Sequence, residues 1–275
     1  TIAMPELKAV INVEDYSPIF CTEEISAAMK RASVQAESFS AAMKEAVTNY
    51  QIGELDDLSI INYTSGTTSS PKGVMLSARN ISSNIEFGLR NIPIQKGDQI
   101  MSMLPLAHMY GMAFEFLYPL CGGCHIYFLG KTPTPTILMQ ALADIKPYLL
   151  ITVPLVLEKV YRKMIMPMLE QGPMSIAMKI PFINTALYSI IRMKLMESFG
   201  GEAQIFIVGG APMNQETEAF LRKINFPLTI GYGMTECAPL ICVTPQPEEY
   251  KLGSCGKYLS DYLDVRIDST DPQRI

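Results

Sequence analysis

Apolar runs rich in Val, Ile and Leu recur along the chain, and a longer helical pattern separates each from the next. The runs "LSIINYTS" (58–65), "DQIMSMLPL" (98–106), "HIYFLG" (125–130), "YLLITVP" (148–154), "QIFIVGG" (204–210) and "PLTIGYG" (227–233) predict strands. Between them, 77–90, 110–120, 136–145, 155–168 and 214–223 predict helices, with Ser77 as the N-cap of the first. A strand at "LKAVINV" (7–13) and a helix over 23–49 precede this series, and a Met-rich, Pro-interrupted region, 167–201, reads as helical in its second half. The tail "DVRID" (264–268) reads as a short strand with charge on alternate positions. Repeated alternation of this kind dictates an α/β fold: a mostly parallel sheet flanked by helices. Such sheets bind ligands in crevices beyond the C-terminal ends of their strands. Three polar or Gly-rich stretches, 64–73, 209–212 and 231–236, are expected to converge there.

Length and charge narrow the classes. At 275 residues, 48% hydrophobic and 18% charged, the chain supports a sizeable core and is not a disordered segment. It divides in expectation into an N-terminal strand and helical segment, 1–50, and a central α/β part, 51–275. A net charge of −5 gives no reason to expect nucleic acid as a partner, so an anionic ligand must be drawn by local groups. The most apolar long window, 111–130, is interrupted by Glu115, Pro119, Gly122, Gly123 and His125, and reads as a helix followed by a strand rather than a membrane span. No export signal opens the chain, which starts at Thr1; a processed start or a fragment is expected. The six cysteines are scattered apart from one pair, as suits a reducing compartment, the cytoplasm.

The stretch "YTSGTTSSPKGV" (63–74) leaves a strand and enters a helical pattern. Hydroxyls at Thr64, Ser65, Thr67, Thr68, Ser69 and Ser70 can donate to phosphate oxygens. Lys72 adds a point charge, and Gly66 and Gly73 let backbone approach a ligand. It is not a Walker A loop, because Pro71 precedes the lysine and Gly73 follows it. In "GYGMTE" (231–236), Glu236 offers an oxygen ligand for Mg²⁺, which is usually held by one or two carboxylates plus substrate phosphates. Thr235 can bond a phosphate oxygen, and Tyr232 presents a ring for a base to stack on, between Gly231 and Gly233. Alone, the first stretch reads better as a solvated Ser/Thr turn and the second as a strand end with a surface Glu.

They do not stand alone. "YTSGTTSSPKGV" resembles the signature of the adenylate-forming enzymes, the superfamily of acyl-CoA synthetases, luciferases and peptide-synthetase adenylation domains, with Ser69 where that signature usually has Gly. "LPLAHMYG" (104–111), "VGGAP" (208–212), "GYGMTE" and "GSCGK" (253–257) are similar to further motifs in the family's order. "GYGMTECAP" resembles the long-chain fatty acyl-CoA synthetases more than other branches. The resemblance implies the large domain of an acyl-CoA synthetase-like fold. It implies a two-step ligation with ATP, Mg²⁺ and coenzyme A, in which a fatty acid or other carboxylic acid becomes an acyl-adenylate and then a thioester. It assigns Thr64, Ser65, Gly66, Thr67, Thr68 and Lys72 to the β- and γ-phosphates, and Gly210, Ala211, Pro212, Gly231, Tyr232, Gly233 and Met234 to the adenine side. It further assigns Thr235 to the α-phosphate, Glu236 to Mg²⁺ and His108 to the acyl carboxylate or its tunnel. Family members also carry a Thr-Gly-Asp segment and a mobile C-terminal domain with a catalytic Lys. Neither is found here, so the chain is expected to be a central fragment, weak or inactive alone and inclined to self-association. Peripheral membrane association is expected of the full-length enzyme.

Two rival readings remain. "CGGCH" fits a pattern for covalent haem attachment through Cys121, Cys124 and His125, an electron carrier. The other is a nucleotide-binding module without catalysis.

Overall fold

The computed structural model describes residues 9–11, 18–21, 23, 26–27, 53–64, 71–130, 134–170, 180, 183–244, 251–266 and 268. The chain divides into two compact units, Thr1–Gly53 and Glu54–Ile275. In the first, strands β1 (Ala9–Ile11) and β2 (Pro18–Cys21) pair antiparallel. The helix expected over 23–49 falls almost wholly outside the described residues.

The second unit starts with a hairpin. Strands β3 (Leu58–Thr64) and β4 (Lys72–Ser77) pair antiparallel and form a two-stranded sheet of their own. Helix α1 (Ala78–Asn91) follows at once. Ser77 caps it: its hydroxyl accepts from the Asn80 N–H, and the Asn80 side chain accepts from the Ser77 N–H in return. An N-cap of this kind contributes roughly 1 kcal/mol.

Next come β5 (Gln99–Ser102) and a helical run, α2, built from Met109–Gly111, a π-helical segment Met112–Leu117 and Tyr118–Cys121. Strand β6 (His125–Phe128), α3 (Pro135–Ile145) and β7 (Leu149–Thr152) follow. The run α4 again has a π-helical middle, Tyr161–Ile165, between Pro154–Val160 and Met166–Glu170. Then come α5 (Ile183–Ser198), β8 (Ile205–Val208), α6 (Gln215–Lys223), β9 (Leu228–Gly233), β10 (Leu240–Val243) and β11 (Lys257–Tyr258).

Strands β5 to β11 form one seven-stranded sheet in the order β11-β10-β9-β8-β7-β5-β6. The β6-β5-β7-β8-β9 part is parallel, and β10 and β11 add antiparallel to β9. The central strands are buried on both faces, which is why they read as unbroken apolar runs. Successive residues feed opposite cores. Met101, Leu150, Phe206 and Val208 pack under α3 to α6, while Ile100, Leu149, Ile151 and Ile207 pack under α1 and α2. Each such side chain, fully withdrawn from water, contributes about 1.5–3 kcal/mol.

The α/β expectation is met, and three local expectations are corrected. Residues 72–77 form a strand, not part of a loop running into the helix. Val74 and Leu76 turn inward while Gly73 and Met75 face out, a period of two that pairing with β3 selects. The hydroxyl-rich loop therefore joins two antiparallel strands of a separate sheet, rather than sitting at the edge of the parallel one. Of the expected tail strand, residues 264–266 are not in a strand. The antiparallel additions are instead β10 and β11, whose two- to four-residue length gives too little periodicity to read.

Candidate active site

A cavity of ≈ 420 Å³ lies beyond the C-terminal ends of β7, β8 and β9, where parallel sheets hold ligands. One wall is sheet backbone: Gly209 and Gly210 after β8, and Gly231, Tyr232 and Gly233 on β9, continuing into Met234 and Thr235. The opposite wall is the loop carrying Leu104, Pro105 and His108, with Tyr110, Gly111 and Phe114 of α2. Its interior is lined by Ile92, Ile207, Leu240 and Val243. The cavity is thus polar at its rim and apolar within.

Glycine is required where backbones close in. A β-carbon on Gly233 would overlap the Pro239 carbonyl oxygen, and one on Gly209 would lie 3.2 Å from the Gly231 carbonyl oxygen and 3.3 Å from the Tyr110 ring. The Tyr110 hydroxyl donates to the carbonyls of Thr152 (3.2 Å) and Ile207 (3.1 Å), so α2 is pinned to the ends of β7 and β8. Burial, helped by the nearby Glu115, pushes the Tyr110 phenol up, and it stays a proton donor.

Glu115 lies directly behind this wall. It is fully buried, and its Oε2 accepts from the N–H groups of Met103 (2.9 Å) and Leu104 (2.8 Å) and from the Ser102 hydroxyl (3.2 Å). Desolvation raises its carboxyl to about 7 against these three hydrogen bonds. Its Oε1 has no hydrogen-bond partner among the described residues. The carboxylate ties the exit of β5 to α2 and thereby sets the spacing of the cavity wall.

The hairpin β3-β4 lies next to the turn that carries Thr235 and Glu236. Thr64 pairs with Lys72 across the mouth of its loop. Both alternate with Asn62, Val74 and Leu76, the inward residues, and so share their face of the hairpin. That face packs on Met109 of α2 and on Ala238, and β4 lies against the turn Thr235–Cys237. The strand bearing Lys72 and the turn bearing Glu236 are therefore neighbours. Ser65, Gly66, Thr67 and Thr68 lie outside the described residues.

His108, Gly210, Gly231, Tyr232, Gly233, Met234 and Thr235 line the cavity. Thr64, Lys72, Ala211, Pro212 and Glu236 do not line it; Lys72 and Glu236 are exposed beside it. Tyr232 is 49% exposed, which leaves its ring free for stacking. No cluster of three or more His, Cys, Asp or Glu side chains exists among the described residues to hold a metal unaided. Glu236 with Thr235 fits a Mg²⁺ ion carried in on phosphate oxygens.

The Cys121–His125 segment is the turn between α2 and β6, with Gly123 at φ 73. Cys121 is exposed, and Cys124 directs its thiol at the Gln95 carbonyl, 3.6 Å away. Burial, then Asp98, pushes that thiol up, away from a reactive thiolate.

Comparison with known proteins joins these features. The model of the AMP-binding enzyme family matches residues 5–273. The chain belongs to this family. It is 31% identical over 222 residues to long-chain-fatty-acid–CoA ligase 1 of Saccharomyces cerevisiae, a match covering 73% of this chain and 31% of that protein. It is 32% identical over 228 residues to long-chain-fatty-acid–CoA ligase 5 of Rattus norvegicus, covering 74% and 32% respectively. The chain spans about a third of the length of these curated relatives. Among solved structures, apo MatB from Rhodopseudomonas palustris shares the fold at a TM-score of 0.57 and 23% identity, covering 76% of this chain and 35% of that one. The N-terminal domain of FACL13 from Mycobacterium tuberculosis does so at 0.56 and 19%, covering 77% and 45%.

Within this AMP-binding chain, sequence reasoning passed over Tyr110, Glu115, Asn62 and Asn84. Tyr110 had a signal, two positions after His108 in "LPLAHMYG". Glu115 had one too, as the only charge in an apolar window. The asparagines had none, because their partners lie 45 or more residues away.

Proposed function

We propose that this AMP-binding chain serves ATP-dependent activation of a long-chain fatty acid, through an acyl-adenylate, to an acyl-CoA thioester. The observation that carries the proposal is the single cavity onto which His108, Gly210 and the segment 231–235 converge, with the Lys72 strand packed against the adjoining turn. Its apolar interior suits a hydrocarbon chain, and its glycine-rich rim suits a nucleotide lying close to backbone. The similarity to long-chain-fatty-acid–CoA ligases supports the same substrate class.

In the first step a carboxylate oxygen bonds the α-phosphorus of ATP and pyrophosphate leaves with the electrons of the broken P–O bond. In the second a thiolate sulfur bonds the acyl carbon and AMP leaves. Two anions meet in the first step, so the protein's task is positioning and charge neutralisation more than proton abstraction. Lys72 and the hydroxyls of its loop hold the departing pyrophosphate. Thr235 donates to the α-phosphate, Tyr232 stacks on adenine and His108 holds the acyl carboxylate. Mg²⁺, when bound at Glu236, neutralises charge on the phosphates. The proposed setting is the cytoplasm, with residues 51–275 as the central ATP-binding part of the large domain.

Calorimetry tests the assignment. Lys72→Ala is expected to weaken Mg-ATP binding by about tenfold or more, the loss of one hydrogen bond to a charged group, and Glu236→Ala by about as much through the loss of a metal ligand. Unchanged affinity in both variants overturns it. Pyrophosphate exchange against a panel of acids separates catalysis from nucleotide binding alone.

A further inference from the structure

The turn that carries Thr235 and Glu236 runs through a disfavoured conformation. Ala238 sits at φ 62, where a β-carbon crowds its own backbone. Such a residue persists only where its surroundings over-determine it. Bonds within the segment do part of this: Met234 N–H donates to the Pro239 carbonyl (2.8 Å), Cys237 N–H to Met234 (2.9 Å) and Ala238 N–H to Thr235 (3.1 Å). The rest comes from one side chain on α1. Asn84 Nδ2 donates to the Cys237 carbonyl (3.0 Å), and its Oδ1 accepts from the Leu240 N–H (2.8 Å). These two backbone groups flank Ala238 and Pro239. The second amide proton of Asn84 goes to the Asn80 carbonyl (3.2 Å), so each group of this 5%-exposed amide is engaged.

A second asparagine makes a similar clamp from the hairpin. Asn62 on β3 donates through Nδ2 to the carbonyl of Ala107 (2.7 Å), the residue before His108. It too is buried. The apolar cluster under the hairpin consists, among the described residues, of buried Leu76, Ile81, Met109 and Ala238 with Ile60, Val74, Ile85, Met112 and Leu117 partly buried against them. Apolar contact is non-directional and lets two elements slide, whereas a hydrogen-bonded amide fixes both distance and orientation.

We propose that Asn62 and Asn84 are positioning residues that set the unit β3-β4-α1, bearing Thr64 and Lys72, in register with the His108 loop and the Thr235–Glu236 turn. This rests on the reading of Lys72, Thr235 and Glu236 as the nucleotide site. Neither asparagine need touch the ligand. Asn84 acts through the backbone of the turn, and Asn62 through that of the loop.

The test uses the chain with Asn84→Ala, Asn84→Asp, Asn62→Ala and, as a reference, Glu236→Ala. Asn84→Asp keeps an acceptor for Leu240 but turns a carboxylate oxygen toward the Cys237 carbonyl; Asn84→Ala carries the test if that buried charge prevents folding. Amide hydrogen exchange is measured without ligand, and Mg-ATP affinity by calorimetry over a series of Mg²⁺ concentrations. The Asn84 variants are expected to speed exchange at Leu240 at least tenfold while Ile151 and Phe206 in the central sheet keep their protection. They are also expected to raise the Mg²⁺ concentration needed for half-maximal affinity, a shift that general loss of stability does not produce. Asn62→Ala is expected to weaken Mg-ATP less than Asn84→Ala. Unchanged exchange at Leu240 overturns the proposal, as does a Mg²⁺ midpoint within twofold of the parent while Glu236→Ala loses binding. Should Glu236→Ala bind Mg-ATP as the parent does, the reading of Glu236 as the Mg²⁺ ligand fails, and the exchange result alone then decides for or against the clamp.

Discussion

Strand β7 is buried along its whole length, whereas β3 and β4 turn one face to solvent. The two regions supply the two halves of the proposed site, and different physics holds each in place. The sheet is sandwiched between two apolar cores, and its loops inherit their positions from strands that cannot move without opening voids. The hairpin has a small cluster beneath it and exposes Ile61, Tyr63 and Met75 above. Its placement depends on directional bonds from Asn62 and Asn84. A rigid platform thus faces a clamped arm, and the difference can be probed from each side.

The largest effect is expected in the platform. Phe206 is fully buried, its ring centroid 4.4 Å from that of Phe226 in a tilted pair and 5.1 Å from that of Phe199 in an edge-to-face pair. Phe206→Ala should cost about 3–5 kcal/mol in urea unfolding. A loss below about 1 kcal/mol would mean the core there is loosely packed.

Glu115 gives the next effect, and its sign follows from linkage. Desolvation raises its folded-state carboxyl from 4.5 to about 7, so in that window the native state keeps a proton that the unfolded chain releases. This group's stabilisation is therefore full below the unfolded value and is lost as pH rises to about 7, by about 3 kcal/mol in all. Glu115→Gln should remove that slope, measured as unfolding free energy at pH 5 and pH 8. A slope unchanged in the variant would show that the carboxylate is better solvated than its burial indicates.

The smallest effect is expected on the arm's outer face. Met75→Ser exchanges a side chain that is 69% exposed and should change stability by no more than about 0.5 kcal/mol. A loss as large as that of Phe206→Ala would mean this face is covered in solution.

Much of the platform was legible in the chain itself. Runs such as "YLLITVP" and "QIFIVGG" are apolar throughout because both faces of a parallel strand are covered, and the Ser77 cap announced α1. Strand β4 was obscured because its six residues follow directly on a loop rich in Ser and Thr, and its pairing with β3 is a tertiary fact. The π-helical middles of α2 and α4 have no sequence period of their own.

Local sequence determined which segments become strands and helices, and the order of its motifs announced which loops could meet at one rim. Only the folded chain decided that the lysine-bearing strand belongs to a separate hairpin, that Glu115 stands behind the cavity, and that two asparagines span 45 residues or more to hold the arm. Apolar periodicity is written residue by residue along a strand or helix. A buried hydrogen bond between distant segments exists only once packing has brought its donor and acceptor within reach.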